Sequence, residues 1–259
     1  MAMSDASEAA ESVVRTGLMS SGVGAPGVLL AFEGIDGAGK TTQAALVANW
    51  LEDSGLDVVR TKEPTDGPQG LRLRESASTG RLTAEEELAA FIADRREHVQ
   101  KVISPALKSG KVVIVDRYYF SNAAYQGARG MDPDEILRVN EEFAPSPDLL
   151  VILDIDASMG VRRVAARGDK GNLFEREEDL RKCAVIFANI KFPNLLRING
   201  GWSREEIFSE VAGALRQGVL LQRLCLKNDK QVCEPEYCRF RIDGTCKYVK
   251  MRPFSRPRS

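Results

Sequence analysis

A glycine-rich loop that follows an apolar run is the feature that most constrains this chain. The run Val28–Phe32 leads into Gly34-Ile35-Asp36-Gly37-Ala38-Gly39-Lys40-Thr41-Thr42, which contains the pattern G-x-x-x-x-G-K-[ST]. Glycines let backbone N–H groups turn toward phosphate oxygens, and a helix that begins at this point adds the positive end of its dipole. The segment from Gly34 to Thr42 therefore predicts a binding site for a nucleoside triphosphate.

Lys40 and Thr41 have separate predicted roles in this loop. We expect the Lys40 ammonium to reach the β- and γ-phosphates and the Thr41 hydroxyl to bind Mg²⁺. Proteins with such a loop include switches, motors and small-molecule kinases, so the loop alone does not define a function.

Short apolar runs alternate along the chain with segments of helical character. The runs lack polar alternation, which is typical of strands buried on both faces of a parallel sheet. We predict an α/β three-layer sandwich of the P-loop NTPase type, a doubly wound five-stranded parallel sheet with helices on both faces. The predicted strands are Val28–Phe32, Leu56–Val59, Val112–Val115, Leu149–Leu153 and Leu195–Ile198. The predicted helices are Thr41–Ser54, Ala84–Ser109, Pro133–Phe143, Met159–Arg167, Glu177–Ile190 and Arg204–Leu221.

The two ends of the chain differ from this core, which we assign to residues 27–223. Residues 1–26 are rich in Ala, Ser and Gly without a period, and we predict a mobile leader. Residues 224–259 form a small basic extension that carries four of the five cysteines, namely Cys225, Cys233, Cys238 and Cys246. Four thiolates can hold Zn²⁺ or an iron–sulfur cluster, and both remain open because no C-x2-C spacing is present.

The charge of the chain excludes a general nucleic-acid binder, since 36 Lys and Arg face 37 Asp and Glu. The longest uncharged run, Thr16–Phe32, is too short and too interrupted by glycine and proline to span a bilayer. Acidic residues near the start do not fit a secretory signal. We therefore expect a cytoplasmic protein without a membrane partner, in which cysteines serve as metal ligands or free thiols.

A second motif follows another predicted strand. Val112–Val115 leads into Asp116-Arg117-Tyr118-Tyr119-Phe120-Ser121-Asn122-Ala123-Ala124-Tyr125-Gln126-Gly127. Because the carboxyl ends of parallel strands meet at one edge of a sheet, we expect Asp116 beside the glycine-rich loop, where it can hold Mg²⁺. The planar fork of Arg117 suits a phosphate, and the aromatic and amide side chains that follow can stack on a base and bond its edge.

From about Gly27 to Leu221, the chain resembles the thymidylate kinase family. The resemblance rests on Phe32–Gln43, Glu63-Pro64, Phe91-Ile92-Ala93-Asp94-Arg95, Asp116–Gly127 and Leu153-Asp154-Ile155-Asp156. It implies a homodimeric enzyme that phosphorylates dTMP to dTDP with ATP and magnesium. Two alternatives stand beside it: a kinase for another deoxynucleotide or a deoxynucleoside, and a nucleotide-gated binding protein that acts through a metal-binding extension.

The resemblance also implies how an acceptor is bound. Asp36 would contact the sugar, Arg74 and Arg117 would grip the acceptor phosphate, Phe91 would stack on thymine, and Arg95 would donate to a thymine carbonyl. Asn122 and Gln126 would read the rest of the base, and Tyr125 would crowd the 2′ position and so favour deoxyribose. Glu63 and Ser121 complete the implied site, whereas we expect His98 to be structural.

A basic segment at residues 160–176 is the candidate lid over the transferred phosphoryl group. Gly37 and Ala38 stand where some family members carry an arginine, so we expect the lid to supply it, from Arg167 first and Arg163 second. The candidate catalytic residues are thus Asp36, Lys40, Arg117, Arg163 and Arg167. Two departures from the family pattern are Asn172-Leu173 in place of an Asp-Arg pair, and Lys62 and Thr65 in the second strand's exit.

Overall fold

The structure, a computed structural model, describes residues 27–80, 82–168 and 173–217, and the short segments 241–242 and 245–246. Five strands form the main sheet: β1 (Val28–Glu33), β2 (Val58–Lys62), β3 (Val112–Asp116), β4 (Leu149–Asp154) and β5 (Leu195–Asn199). The helices before β4 are α1 (Lys40–Asp53), α2 (Pro68–Thr79), α3 (Ala84–His98), α4 (Ser104–Lys108), α5 (Tyr119–Gly127) and α6 (Pro133–Glu141). Those after β4 are α7 (Ala157–Ala165), α8 (Leu173–Asn189) and α9 (Arg204–Gln217).

The sheet confirms the predicted fold class. Its strand order is β2-β3-β1-β4-β5, and every neighbouring pair is parallel. All six residues of β1 are buried, as expected for the apolar run Val28–Phe32, and Glu33 at its end is buried with them. In the register, Asp116 lies opposite both Phe32 and Lys62, so the carboxyl ends of β1, β2 and β3 meet at one edge.

Apolar layers cover both faces of the sheet. On one face α1 and α9 contribute residues such as Val47, Leu51, Phe208 and Val211. On the other face α5 and α8 contribute Phe120, Leu180 and Phe187. Helices on both faces of a parallel sheet are the doubly wound arrangement that the alternation of elements predicted.

Several predicted boundaries were wrong. The second strand is Val58–Lys62 rather than Leu56–Val59, because Leu56 is buried in the turn after α1 while the strand continues through polar residues. The helix predicted over Ala84–Ser109 is interrupted by a π-helical turn, Val99–Ile103, between α3 and α4. Helices α2 and α5 were not predicted. A mostly polar sequence in α2 and an almost wholly buried one in α5 give little helical periodicity.

Most of the extension lies outside the described residues. This holds for Cys225, Cys233 and Cys238, as it does for the predicted leader 1–26. Two short strands, β6 (Arg241–Ile242) and β7 (Thr245–Cys246), pair antiparallel, with Arg241 opposite Cys246. Within the described ranges, no group of three or more His, Cys, Asp or Glu could hold a metal, and no helix is long and apolar enough to cross a membrane.

Candidate active site

The glycine-rich loop connects β1 to α1 and turns closely against a neighbouring helix. Gly37 has φ 83°, and a Cβ atom added to it would lie 2.5 Å from the Gly160 carbonyl oxygen. Only glycine fits this backbone conformation and this contact without strain. The turn ends at Gly39, with φ 99°, and α1 begins at Lys40.

Lys40 is buried inside this loop. Its Nζ donates hydrogen bonds to the carbonyl oxygens of Gly34, at 2.9 Å, and Ile35, at 2.8 Å. Burial, reinforced by the positive charge of Arg117, lowers the pKa of Lys40 to about 7, while nearby carboxylates oppose the change. A phosphate beside this amine would favour its charged form for the same electrostatic reason.

The two predicted magnesium ligands lie side by side. The Thr41 hydroxyl donates a hydrogen bond to Asp116 Oδ2, although these residues come from α1 and β3. The other carboxylate oxygen, Asp116 Oδ1, is buried and has no hydrogen-bond partner among the described residues. A hydroxyl next to a carboxylate with an unpaired oxygen is a donor set that fits Mg²⁺.

Arg117 follows β3 in a left-handed backbone conformation, with φ 68°. Its Nη2 pairs with Asp36 Oδ1 at 2.5 Å, and its Nη1 donates to Ser121 Oγ at 3.1 Å. Its guanidinium carbon lies 5.2 Å from the Tyr125 ring centroid, and the Tyr125 hydroxyl accepts from the Asp36 N–H at 3.1 Å. The second motif is thereby joined to the glycine-rich loop, as the sequence predicted.

Glu33 is a buried carboxyl group that sequence reasoning did not select. Its Oε1 accepts from the N–H groups of Tyr118 and Ser121, and its Oε2 accepts from the Ser121 hydroxyl. Burial raises the pKa of Glu33 to about 7, although the Ser121 hydrogen bond and the charge of Arg117 lower it in part. The available signal was a charged residue at the end of an otherwise apolar strand.

A cavity of about 220 Å³ opens next to Arg117 and holds most of the predicted acceptor residues. From the predicted set it is lined by Asp36, Glu63, Phe91, Arg95, Arg117, Ser121, Tyr125 and Gln126. It is also lined by three residues not predicted: Pro64, Glu87 and Tyr118. Glu87 accepts from Gln126 Nε2 at 3.1 Å and also pairs with Arg129, so it ties α3 to α5.

Arg95 enters the cavity from a buried polar network. Its Nε and Nη2 donate to Glu63 Oε2 at 2.8 and 2.5 Å, and its Nη1 donates to Asn140 Oδ1 at 2.6 Å. His98 lies between Glu63 Oε1, at 2.9 Å, and Thr61 Oγ1, at 2.7 Å. An arginine has five N–H donors, so the network leaves Arg95 with donors for a ligand.

Two predicted acceptor residues are not among those that line the cavity. Arg74, on α2, donates to the Pro64 carbonyl at 3.1 Å and to Asp66 at 3.0 Å, so it reaches the loop after β2. Asn122 is buried on α5 and donates to Gln126 Oε1 at 3.1 Å, while its own Oδ1 has no partner among the residues described.

The described part of the candidate lid brings basic residues to the glycine-rich loop. Arg163 Nη1 donates to the carbonyl oxygens of Gly37, at 3.2 Å, and Gly200, at 2.9 Å. Arg167 is exposed and lines a cavity of about 260 Å³ together with Lys40, Asp116 and Arg117. Residues 169–172 of this segment, which include Asn172 from the first departure from the family pattern, lie outside the described residues.

The fold and these contacts define a P-loop nucleotide-binding enzyme with a second cavity at the end of β3. A family model described as thymidylate kinase matches residues 32–211. The thymidylate kinase of Akkermansia muciniphila is 49% identical over 189 residues, which cover 73% of this chain and 91% of that protein. Those of Xanthomonas campestris and Desulfotalea psychrophila are 47% identical over 198 residues and 46% identical over 194 residues. These matches cover 76% and 74% of this chain, and 86% and 96% of the relatives.

This chain belongs to the thymidylate kinase family, and it is an enzyme of that family. The prediction drawn from the ordered motifs is confirmed. The comparisons do not favour either of the alternatives considered with it, a kinase for another acceptor or a nucleotide-gated binding protein.

Proposed function

We propose that this chain transfers the γ-phosphoryl group of ATP to the phosphate of dTMP, forming dTDP and ADP. The observation that carries the proposal is the cavity in which Phe91, Arg95 and Arg117 converge beside the glycine-rich loop. It offers a ring for stacking, a donor for a base carbonyl and a fork for a phosphate. Membership of the thymidylate kinase family gives the same assignment.

ATP is the donor and binds with its phosphates along the loop from Gly34 to Thr42. Lys40 neutralises the β- and γ-phosphates, and Thr41 and Asp116 hold Mg²⁺, which supplies charge stabilisation when bound. A cavity of about 400 Å³ on the side of Arg163 and Trp202 offers room for the nucleoside part of ATP.

Arg117 and Asp36 serve the acceptor. An arginine binds a dianionic phosphate through forked, charge-assisted hydrogen bonds. The acceptor phosphate competes with Asp36 for Arg117, and Asp36 is then available to the deoxyribose. Arg74 is the second predicted phosphate ligand, and its hydrogen bond to the carbonyl of Pro64, a residue that lines the same cavity, holds it next to this site.

The base is read by side chains from two helices. Phe91 of α3 stacks on thymine, and Arg95 donates to a carbonyl that cytosine replaces with an amino group. The unpaired Oδ1 of Asn122, with Gln126 beside it on α5, suits the ring N–H of thymine. Tyr125, which lines the cavity beside Arg117, crowds the 2′ position. Arg167, with Arg163 as second candidate, stabilises the charge of the transferred group.

The direct test is an assay of ADP formation from ATP and Mg²⁺ with dTMP, dUMP, dCMP and thymidine. We expect the highest kcat/KM with dTMP and no turnover with thymidine, which lacks the phosphate. Absence of ADP with every acceptor would refute the proposal, and turnover confined to dUMP or dCMP would reassign the acceptor. Arg117→Ala should abolish most of the activity, whereas Arg138→Ala, which breaks the two exposed ion pairs of that residue, is the matched control.

The extension and the assembly add two separate proposals. We propose that Cys225, Cys233, Cys238 and Cys246 bind Zn²⁺ or an iron–sulfur cluster, and that the chain is a homodimer, as the family resemblance implies. A brown absorption band in freshly purified protein would identify a cluster, whereas a colourless protein with stoichiometric zinc would identify a zinc site. A protein with neither the brown band nor stoichiometric zinc would reject the metal site. A monomer in sedimentation would reject the homodimer. The cytoplasmic location stays a prediction.

A further inference from the structure

We propose that Glu33 and Ser121 form a hydrogen-bond relay that positions Arg117, so that Ser121 acts through the arginine and does not touch the substrate. The inference rests on the proposed function, in which Arg117 grips the acceptor phosphate. It gives a role to a buried carboxyl group that the proposed function leaves unused. It also changes the role of Ser121, for which the family resemblance implied substrate binding.

Glu33 joins the end of β1 to the start of α5. The residue is fully buried, and its Oε1 accepts from the N–H groups of Tyr118, at 2.8 Å, and Ser121, at 3.0 Å. These N–H groups open α5, where the side chain of the N-cap residue Tyr118 forms no capping bond. A carboxylate from a neighbouring strand thus takes the place of a local cap and fixes the backbone that follows Arg117.

The hydrogen bonds of the Ser121 hydroxyl run in one direction, from Arg117 to the serine and from the serine to Glu33. A guanidinium has no acceptor, so Arg117 Nη1 must donate to Ser121 Oγ across their 3.1 Å contact. The serine has one proton, and Glu33 Oε2 lies 2.6 Å from its oxygen. While Glu33 is ionised, that proton belongs to the carboxylate, and Ser121 has none to give to a sugar or a base.

Arg117 needs this support because its backbone is in an unfavourable conformation. A non-glycine residue at φ 68° is held there by its surroundings, among them the hydrogen bond from its N–H to the Phe32 carbonyl at 3.0 Å. Asp36 binds one guanidinium nitrogen and Ser121 binds the other. Since Asp36 serves the acceptor in the proposed function, the Ser121 contact is one that can persist during turnover, beside the contact with Tyr125.

The test compares dTMP with thymidine, which differ only in the phosphate, in calorimetric binding at a pH above about 7, where Glu33 is ionised. Ser121→Ala should weaken the affinity for dTMP by about tenfold, the effect of one hydrogen bond to a charged group. The affinity for thymidine should stay unchanged. In an Arg117→Ala background, Ser121→Ala should have no further effect on dTMP. Equal weakening of both ligands, or an additive loss in the double variant, would overturn the relay.

Further variants separate the relay from the function on which it rests. Glu33→Gln keeps an oxygen for the backbone donors but offers Ser121 an amide donor, so we expect the same selective loss for dTMP. Ser54→Ala is the control: it removes a hydroxyl hydrogen bond to a backbone carbonyl at the far end of α1 and should change the affinity for neither ligand. If Arg117→Ala weakens dTMP while Ser121→Ala does not, the relay alone is wrong. If Arg117→Ala leaves dTMP binding unchanged, the phosphate role of Arg117 is wrong, and the relay fails with it.

Discussion

Two arginines near the end of α7 differ in what their guanidinium groups already bind. Arg163 is tied to the carbonyl oxygens of Gly37 and Gly200, so it shapes the loop that carries the donor phosphates. Arg167 faces the cavity that Lys40, Asp116 and Arg117 also line. An arginine at that position can approach the charge that develops on the transferred phosphoryl group.

Arg167→Ala should therefore lower kcat strongly while the KM for dTMP changes little. Arginine residues that stabilise a transferred phosphoryl group raise kcat by about 10³-fold to 10⁵-fold, and this contribution limits the loss that the variant can show. Steady-state kinetics would measure it. Arg162→Ala is the control, since that exposed side chain on α7 donates a hydrogen bond to Ser158 and is not among the residues that line the cavity of Arg167. An unchanged kcat in Arg167→Ala would exclude this arginine from the transition state.

The Glu63–Arg95 ion pair is a second residue-scale feature, because both side chains are almost completely buried. Removing one partner leaves an uncompensated charge inside the protein. Arg95→Met should lower the free energy of unfolding by about 3–5 kcal/mol, as for other buried pairs. Urea denaturation would measure the loss. The exposed Arg138 pairs on α6 provide the contrast, and Arg138→Met should leave the urea midpoint nearly unchanged. A similar midpoint in both variants would contradict the interpretation.

At the scale of elements, α7 presses a glycine against the phosphate-binding loop. A Cβ atom added to Gly160 would lie 2.6 Å from the Asp36 carbonyl oxygen, and one added to Gly37 would meet Gly160 in return. Helix and loop are thus in backbone contact, and the position of α7 helps to set the shape of the loop.

Gly160→Ala should push the loop away from α7. We expect a loss of stability of about 1–3 kcal/mol and an ATP affinity weakened by roughly tenfold. Calorimetric titration with ATP would measure the second effect. Gly213→Ala, on α9 in open space, is the matched control and should leave ATP binding unchanged. Unaltered ATP binding in Gly160→Ala would show that the loop tolerates the added methyl group.

For the whole molecule, Glu33 and Lys40 link folding to pH in opposite directions. The folded protein keeps the Glu33 proton between pH 4.5 and about 7, where the unfolded chain has lost it, so the free energy of unfolding falls as pH rises through that range. Lys40 loses its proton early in the folded state, so between about 7 and 10.5 its contribution rises with pH.

Glu33→Gln should remove the falling contribution. As pH rises from 4.5 to about 7, the free energy of unfolding of the natural chain should fall relative to that of Glu33→Gln. Any stability advantage of the natural chain should therefore shrink or change sign. Urea denaturation of both proteins across that range would provide the values. A difference that stays constant with pH would mean that Glu33 titrates alike in the folded and unfolded chains.

The sequence by itself determined the parallel sheet, the phosphate loop and the edge at which Asp116 and Arg117 would meet it. These depend on local signals: unbroken apolar runs, glycines at fixed spacing, and charged residues at strand ends. Beside these local signals, the family resemblance named most of the residues that line the cavity next to Arg117. The local signals require no knowledge of how distant segments pack.

Only the tertiary structure decided which polar side chains form hydrogen bonds with one another. Glu33 and Ser121 are separated by 88 positions, and Glu63 and Arg95 by 32, so no periodicity relates them. The structure likewise added Glu87 and Tyr118 to the cavity, left Arg74 and Asn122 out of its lining, and distinguished Arg163 from Arg167. A hydrogen bond between side chains from different elements is sensitive to changes of about a few tenths of an ångström in their separation, and packing of the whole chain sets that separation.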